Sequence, residues 1–579
     1  MSSWNFAEVW EVVASERPGA AAMIQGDREL RWADFDTRAN GVAQVLLDAG
    51  LGRQAKVAQY LYNTPEYLES MFACFKAGLV PVNTNYRYAE GELTYLWDNA
   101  DVDAVVFHDD FTSRIEAIRH RLPAVRCWLH VGNGPCPRWA MPYEDAATSQ
   151  PVGRPRTTPV TAPWGRRGDD LLLVYTGGTT GMPKGVMWRQ DDLFSVLNRT
   201  ADVRYPEHGG PDDVRKALRA PGVHAPTRLL PGPPLMHGTG LFTAMSVLDG
   251  GGAIVMPAGH HFDAERLLDT IEQHRVTQLV IVGDAFAKPL LRCLDNQPDR
   301  WDLSSLWLVI SSGVMWSEEV KAGLLRHQPR LLMVDSLGSS EALGVAQSRS
   351  SAKGTAGTGG FVLSADTRVL DEEGRDVVPG SGQRGLVAMR GRGPIGYYKD
   401  PDKSAATFRI IDGERWAVPG DFATVERGGV VKLLGRGSGC INSGGEKIFP
   451  EEVEEALKTH PDVADAVVVG VPDDRFGEMV VAVVETLRGR GSDESQLPNE
   501  SQLPNESRLP NESQPPNESQ PPDESQLIAW VKDRLAGYKA PKRVLWVATV
   551  GRAPNGKVDY RRFMSYAADA LAADRRRAL

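Results

Sequence analysis

In 175-YTGGTTGMPKGV-186, Thr176, Gly177, Gly178, Thr179, Thr180 and Gly181 run ahead of a single cation, Lys184, which is set between Pro183 and Gly185. So much glycine is out of place in a packed element. The apolar run LLLVY (171–175) reads as a strand and helical spacing resumes from about Asp191, so the loop is expected at a strand's end with its backbone N–H groups unpaired. Such a nest attracts phosphate oxygens, to which the threonine hydroxyls add donors and the Lys184 ammonium a point charge. The plainer reading is a simple turn.

A Walker A loop closes with Gly-Lys-Ser/Thr, whereas this one closes with Pro-Lys-Gly, which disfavours an ordinary P-loop NTPase. Other reactive residues follow in short motifs: His237 in PLMHGTG (234–240), and Gly338, Ser339, Ser340 and Glu341 in DSLGSSE (335–341). Asp421 ends WAVPGD (416–421). Arg436, Ser438 and Ser443-Gly444-Gly445 lie in GRGSGCINSGGEKIFPEEVE (435–454), and Lys557 in GRAPNGKV (551–558). Singly, each has a plain structural role: Asp421 in a turn, Glu341 at a helix N-terminus, His237 packed in a loop, Lys557 in solvent beside a turn. Together and in this order they resemble the adenylate-forming superfamily of acyl-CoA synthetases, peptide-synthetase adenylation domains and luciferase. The resemblance covers nearly the whole chain.

What the resemblance implies is activation of a carboxylic acid with ATP, Mg²⁺ and CoA, through an acyl-adenylate. Lys184, with Thr176 to Gly181, is then the phosphate loop, although Gly177 stands where the family usually has serine. Gly338 to Ser340 border the adenine, with Leu337 in place of the stacking aromatic and Ser340 in the threonine slot. Glu341 is the Mg²⁺ carboxylate, Asp421 accepts from the ribose hydroxyls, and Arg436 lies near ribose and phosphate. Lys557 matches the C-terminal catalytic lysine that bridges acid and α-phosphate. Ser438 occupies the hinge slot, usually Asp or Lys, about which the small domain rotates to bring Ser443, Gly444 and Gly445 to the CoA arm. His237 gates an acyl pocket that the strand and turn VGDAFA (282–287), with Gly283 and Ala285, and SSG (311–313), with Ser312 and Gly313, are expected to complete. These small and apolar residues point to a sizeable apolar acid. GVMWRQ (185–190) and VGDAFA are most similar to actinobacterial synthetases, including those acting on steroid side-chain acids, with long-chain fatty acid as the near rival.

The elements that must position these residues alternate. AKVAQYLY, TPEYLESMFACFKAG closed by Gly78, LVPVNTN, RYAEGELTYLWDNA and DAVVF read as βαβαβ. The theme returns in FDAERLLDTIEQHRV, LVIVG, LWLVISSG and LLMVDSLG. The fold class is therefore α/β: a large domain (1–436) of mainly parallel sheets with flanking helices, a hinge (437–439), and a small mobile α+β domain (440–579). The small domain carries a proline-rich insert, 494–523, made of five successive copies of a six-residue motif (ESQLPN and close variants). With almost no apolar residue per copy, it is expected to be a disordered, PPII-like loop without catalytic role.

The 579 residues exceed what one core needs, and a net charge of −10 argues against a nucleic-acid binder. Five scattered cysteines without a CxxC pair indicate neither a zinc site nor a disulfide framework. With no signal-like N-terminus and no apolar run of transmembrane length, the expected location is cytoplasmic. The expected partners are small-molecule substrates, and a homodimer is left open. Two rival functions stand beside CoA ligation. Transfer of the acyl group to a carrier protein would look alike in the large domain. An interaction protein using the hexapeptide array as a ligand would leave the ordered nucleotide motifs unexplained.

Overall fold

The computed structural model describes residues 4–149, 155, 157–178, 181–220, 227–314, 316–436, 441–443, 446–473, 477–487, 522–535, 537–553 and 556–578. Expectations for Thr179, Thr180, the hinge with Ser438, Gly444, Gly445 and the insert up to residue 521 lie outside them. The chain divides into two compact units, Met1–Leu433 with Pro554–Lys557, and Leu434–Ala553 with Val558–Leu579.

The expected alternation is built as βαβ units in the first unit. Strand Lys56–Tyr60 pairs in parallel with both Val80–Asn83 and Val102–His108. The crossover helix Pro65–Ala77 starts with proline in its first turn and stops where Gly78 takes φ +65°, a conformation that costs glycine little. Every residue of this helix is buried, including Lys76. Its ammonium is held by Glu11 Oε1 and Asp36 Oδ1, each at 2.7 Å, which ties the helix to the N-terminal pair Phe6–Glu16 and Trp32–Asp48.

Among the described residues two sheets form this unit, one of eight strands and one of fifteen. In the larger, parallel order runs through Ala21–Gln25, Ala253–Met256, Arg228–Pro231, Gln278–Ile281, Leu308–Ser312 and Leu332–Ser339. The helices Ala264–Gln273, Gly283–Asn296 and Glu318–His327 cover it through a shared apolar cluster around Phe286, Trp301 and Trp316. The chain then reverses, and Ala342–Ser350 returns antiparallel to Leu332–Ser339, so the sheet continues as an antiparallel extension.

Two local expectations are corrected. The glycine stretch is not an open loop: Leu171–Gly178 and Gly181–Arg189 form an antiparallel hairpin that pairs Tyr175 with Gly185, Thr176 with Lys184 and Gly178 with Gly181. The flanks explain it. Buried Leu173 and Val174 face buried Val186 and its neighbours across the ladder, and zipping these together draws the glycines into register. Likewise 282–287 is not strand and turn, because helix Gly283–Asn296 begins there and places Gly283 and Ala285 in its first turn. The strand ends one residue earlier, at Ile281, where its pairing with Leu308–Ser312 runs out.

The second unit has its own core. Val463–Asp473 and Gly477–Thr486 pair antiparallel, and Arg543–Val547 joins in parallel. The period of two sends Ala466, Val468, Val480 and Ala482 against helices Pro450–Lys458 and Glu524–Lys532. Val467, Val469, Val481 and Val483 meet Phe563, Ala567 and Leu571 of helix Tyr560–Ala578 on the other face.

Lys76 gives the fold its clearest stability test. Lys76→Ala removes the ammonium that Glu11 and Asp36 share; Glu11 keeps Arg166, whereas Asp36 is left facing a buried cavity, a loss on the order of 3 kcal/mol. Urea unfolding should show a lower midpoint with an unchanged slope, and an unaltered midpoint would mean the helix docks without this ion pair.

Candidate active site

Hydrogen bonds near the strand ends link the two sheets of the large unit, and Lys184, Ser340 and Glu341 are among the groups gathered at that seam. Asn83, the last residue of Val80–Asn83, donates to Tyr175 O at 2.9 Å and to Met236 O at 2.6 Å, and accepts from Tyr175 N at 2.5 Å. One buried amide therefore fixes the start of the glycine hairpin against the segment that leads to His237.

His237 caps helix Gly238–Asp249 with extended backbone, and its own N–H bonds Pro234 O at 3.0 Å. Burial pushes its imidazole pKa down to about 3, with the charge of Lys557 adding to the effect. The ring is therefore neutral at ordinary pH, a hydrogen-bonding group and not a cation. A Cβ on neighbouring Gly238 would stand 2.9 Å from the Phe242 ring and 3.7 Å from Ser340 Oγ, so this helix start lies beside the Ser340 motif.

The hairpin register sets Lys184 opposite Thr176, and Gly185 has to be glycine because a Cβ there would fall 2.6 Å from the Tyr175 ring. On the other edge of Gly181–Arg189, the two-residue strand Gly396–Tyr397 pairs Tyr397 with Val186. Lys184 Nζ lies 5.4 Å from the centre of the Tyr397 ring, and the Tyr397 hydroxyl donates to Glu341 Oε1 at 2.8 Å. Trp188 Nε1 donates to Ser340 O at 3.0 Å. Lysine, tyrosine and buried glutamate thus form one cluster, and two hydrogen bonds span the sheets to make it. Gly338 and Ser339 lie at the end of Leu332–Ser339, beside a bulge, and Glu341 N bonds Ser339 Oγ at 3.3 Å.

The expected acyl residues also come together. Gly283 N donates to Ser311 Oγ at 2.9 Å, joining the helix start to the end of Leu308–Ser312, where Ser312 and Gly313 follow. A Cβ on Gly313 would lie 3.7 Å from Val282 Cγ1. Gly556, which groups with this unit as Lys557 does, has φ +71°, and a Cβ there would be 2.8 Å from Val282 and 3.5 Å from Ala285. Asp421 opens strand Asp421–Val425 of the large sheet, after Gly420 at φ +102°. Arg436 ends Val430–Arg436, and Ser443 ends Ile441–Ser443 in the second unit, opposite Glu446. Sequence reasoning missed Asn83, Trp188 and Tyr397. Each is an ordinary strand residue by spacing, and only the pairing of strands far apart in the chain reveals its role.

Residues 10–398 match the family model described as AMP-binding enzyme, and residues 452–506 match the one for the AMP-binding enzyme C-terminal domain. The medium/long-chain-fatty-acid–CoA/3-oxocholest-4-en-26-oate–CoA ligase of Mycobacterium marinum is 40% identical over 571 residues, spanning 96% of this chain and 95% of its own. The 3-oxocholest-4-en-26-oate–CoA ligase of Rhodococcus rhodochrous is 36% identical, again over 96% of this chain and 95% of its own. Among solved structures, the anthranilate CoA ligase AuaEII in complex with anthranoyl-AMP shares the fold with a TM-score of 0.77 at 21% identity, over 99% of both chains.

The state of His237 can be checked directly. Its depressed pKa means that unfolding frees it to take up a proton, so its contribution to stability is present above about pH 6.5 and is lost as pH falls toward its folded value. In NMR of the ¹³C-histidine-labelled protein, the signal removed by His237→Gln should stay at its neutral position down to about pH 5. A midpoint between 6 and 7 would contradict the burial described.

Proposed function

The chain belongs to the AMP-binding enzyme family, and we propose that it is an AMP-forming acyl-CoA synthetase that activates a large apolar carboxylic acid, a steroid side-chain acid or a long-chain fatty acid. The observation that carries this reading is the near-complete overlap, at 40% identity, with a relative whose name joins both substrates to CoA. The cluster of small residues, Gly283 and Ala285 in the first turn of helix Gly283–Asn296 with Ser312 and Gly313 at the end of Leu308–Ser312, supports it, because such residues leave room for a bulky acyl group.

The chemical problem is to bring one anion onto another. The substrate carboxylate attacks the α-phosphorus of ATP, a carboxylate oxygen becomes the bridge of a mixed anhydride, and pyrophosphate leaves with the electrons of the broken P–O bond. Lys184, fixed by the hairpin beside Tyr397, offsets the charge gathering on pyrophosphate, and Lys557 offsets that between carboxylate and α-phosphate. Thr176 and the amides of Gly177, Gly178 and Gly181 not used by the ladder donate to the phosphates, as do Thr179 and Thr180. Neutral His237 adds no competing positive charge at the acyl entrance.

Glu341 fits Mg²⁺, since a buried carboxylate is a hard oxygen donor for a cation that takes its other oxygens from water and substrate phosphates. Bound there, Mg²⁺ would neutralise phosphate charge. The Tyr397 hydroxyl holds one oxygen of Glu341, which orients the carboxylate. Gly338, Ser339 and Ser340 border the adenine, Asp421 receives the ribose hydroxyls, and Arg436 stands near ribose and phosphate.

In the second half-reaction the CoA sulfur attacks the acyl carbon, its proton is released, and AMP departs with the bridging oxygen. Ser443, Gly444 and Gly445 line the approach of the CoA arm, and Ser438 is the hinge between residues 1–436 and 440–579. The cytoplasm, which supplies both ATP and CoA, is the proposed location.

A panel of acids with ATP and CoA, read by mass spectrometry, tests the reading. AMP, pyrophosphate and the thioester should appear together. Sterol-bearing and long-chain acids should exceed acetate in kcat/KM by several orders of magnitude, as each buried methylene contributes ~0.8 kcal/mol. ADP with orthophosphate, comparable rates for acetate, or acyl transfer to a carrier protein with none to CoA would overturn it.

A further inference from the structure

A second constellation of chemistry-bearing side chains lies in the large unit, at residues to which the acid-activating site gives no task. His108 is the last residue of strand Val102–His108, and Asp110 follows in the short turn Asp109–Phe111. His260 comes from the segment 258-AGHHFD-263, between strand Ala253–Met256 and helix Ala264–Gln273. About 150 residues of chain separate the two histidines, yet one ligand atom from each of His108, Asp110 and His260 lies within 4.8 Å of the other two. Donors bound to a common zinc-class ion at ~2.0–2.2 Å would be separated by a little over 3 Å, so small side-chain rotations close the set.

We propose that His108, Asp110 and His260 bind a divalent transition-metal ion of the zinc class. Three features of the surroundings support this. His260 Nδ1 is buried and, among the described residues, has no hydrogen-bond partner. Leaving a buried ring nitrogen unsatisfied is costly, and a metal ion would satisfy it. The rings are held in place: Tyr62 stacks on His260 with centroids 4.0 Å apart and planes 13° from parallel, and meets His108 edge-on at 4.9 Å. A second carboxylate lies beside the cluster: Asp109 Oδ1 is 2.9 Å from His108 Nδ1, which also accepts from Asp110 N at 3.3 Å and so leaves Nε2 as the ligating nitrogen, while Asp109 Oδ2 accepts from Gly134 N at 2.7 Å. Such an outer carboxylate orients the ligating histidine of a metal site and raises its basicity.

The donor set selects the ion. Two imidazoles and one carboxylate favour Zn²⁺, Co²⁺, Ni²⁺ or Fe²⁺ over Mg²⁺ and Ca²⁺, which take oxygen ligands. The two acidic residues make the setting attractive to a cation, and three protein ligands leave a coordination position for water. The ion would clamp the end of a strand of the eight-strand sheet to a loop that leaves the fifteen-strand sheet. The same loop carries Phe262, whose ring meets Phe286 of helix Gly283–Asn296 at 4.5 Å.

The full-length protein, stripped with chelator and kept in excess Mg²⁺ to occupy oxygen-rich sites, is titrated with Co²⁺ and followed in the visible spectrum. One equivalent should produce ligand-field bands that stoichiometric Zn²⁺ abolishes, and Zn²⁺ should raise Tm. Asp110→Asn, at an exposed position, should keep the circular dichroism of the parent and weaken binding roughly tenfold or more, and His260→Gln should remove the bands. Absence of stoichiometric binding to the parent, or bands and a Zn²⁺-dependent Tm that persist unchanged in a folded Asp110→Asn protein, would overturn the proposal.

Discussion

A single hydroxyl-to-carboxylate hydrogen bond, Tyr397 to Glu341 at 2.8 Å, joins the two sheets at the place where the reactive side chains gather. Tyr397 belongs to the edge of the eight-strand sheet and Glu341 to the reversal between two strands of the fifteen-strand sheet. Everything else at the seam follows from keeping that distance. The hairpin must run antiparallel in one register so that Lys184 flanks the Tyr397 ring, and Trp188 must reach Ser340 O from the same strand. A slip of one residue in that hairpin would turn Lys184 and Trp188 to the opposite face and break both links at once. Asn83 guards against the slip, because its amide grips both backbone groups of Tyr175.

The alternation of strands and helices was legible in the sequence because it follows from local pattern. Buried strands such as Val102–His108 are apolar runs bounded by breakers, and helix Pro65–Ala77 announces both its ends with Pro65 and Gly78. The order of the glycine stretch, His237, Glu341, Asp421 and Lys557 was also legible. What was not is pairing between distant segments. GMPKGVMWR has the composition of a loop, and it becomes a strand because Leu171–Gly178 on one side and Gly396–Tyr397 on the other supply partners. VGDAFA likewise looks like the end of a strand, but the sheet partner ends at Ser312 and a helix starts instead. Cysteine spacing gave no hint of the cluster at His108, whose members meet through tertiary packing of two separate sheets.

Burial sets the chemical character of the seam. His237 is kept neutral by its surroundings, whereas Glu341 is buried and its carboxyl oxygen accepts from the Tyr397 phenol. Lys184 supplies positive charge at the hairpin and His237 none at the start of its helix, which suits the proposed reaction, whose charge develops on phosphate. Low exposure also strengthens each of these interactions relative to water.

The central claim is that the acid is activated as an acyl-adenylate, and isotope transfer tests it most directly. A carboxylic acid carrying oxygen-18 in its carboxylate is turned over with ATP and CoA, and the nucleotide product is examined by mass spectrometry. The account predicts AMP that has gained one labelled oxygen, left behind when the CoA sulfur displaces it, with unlabelled pyrophosphate. Unlabelled AMP, or label in orthophosphate released alongside ADP, would contradict it.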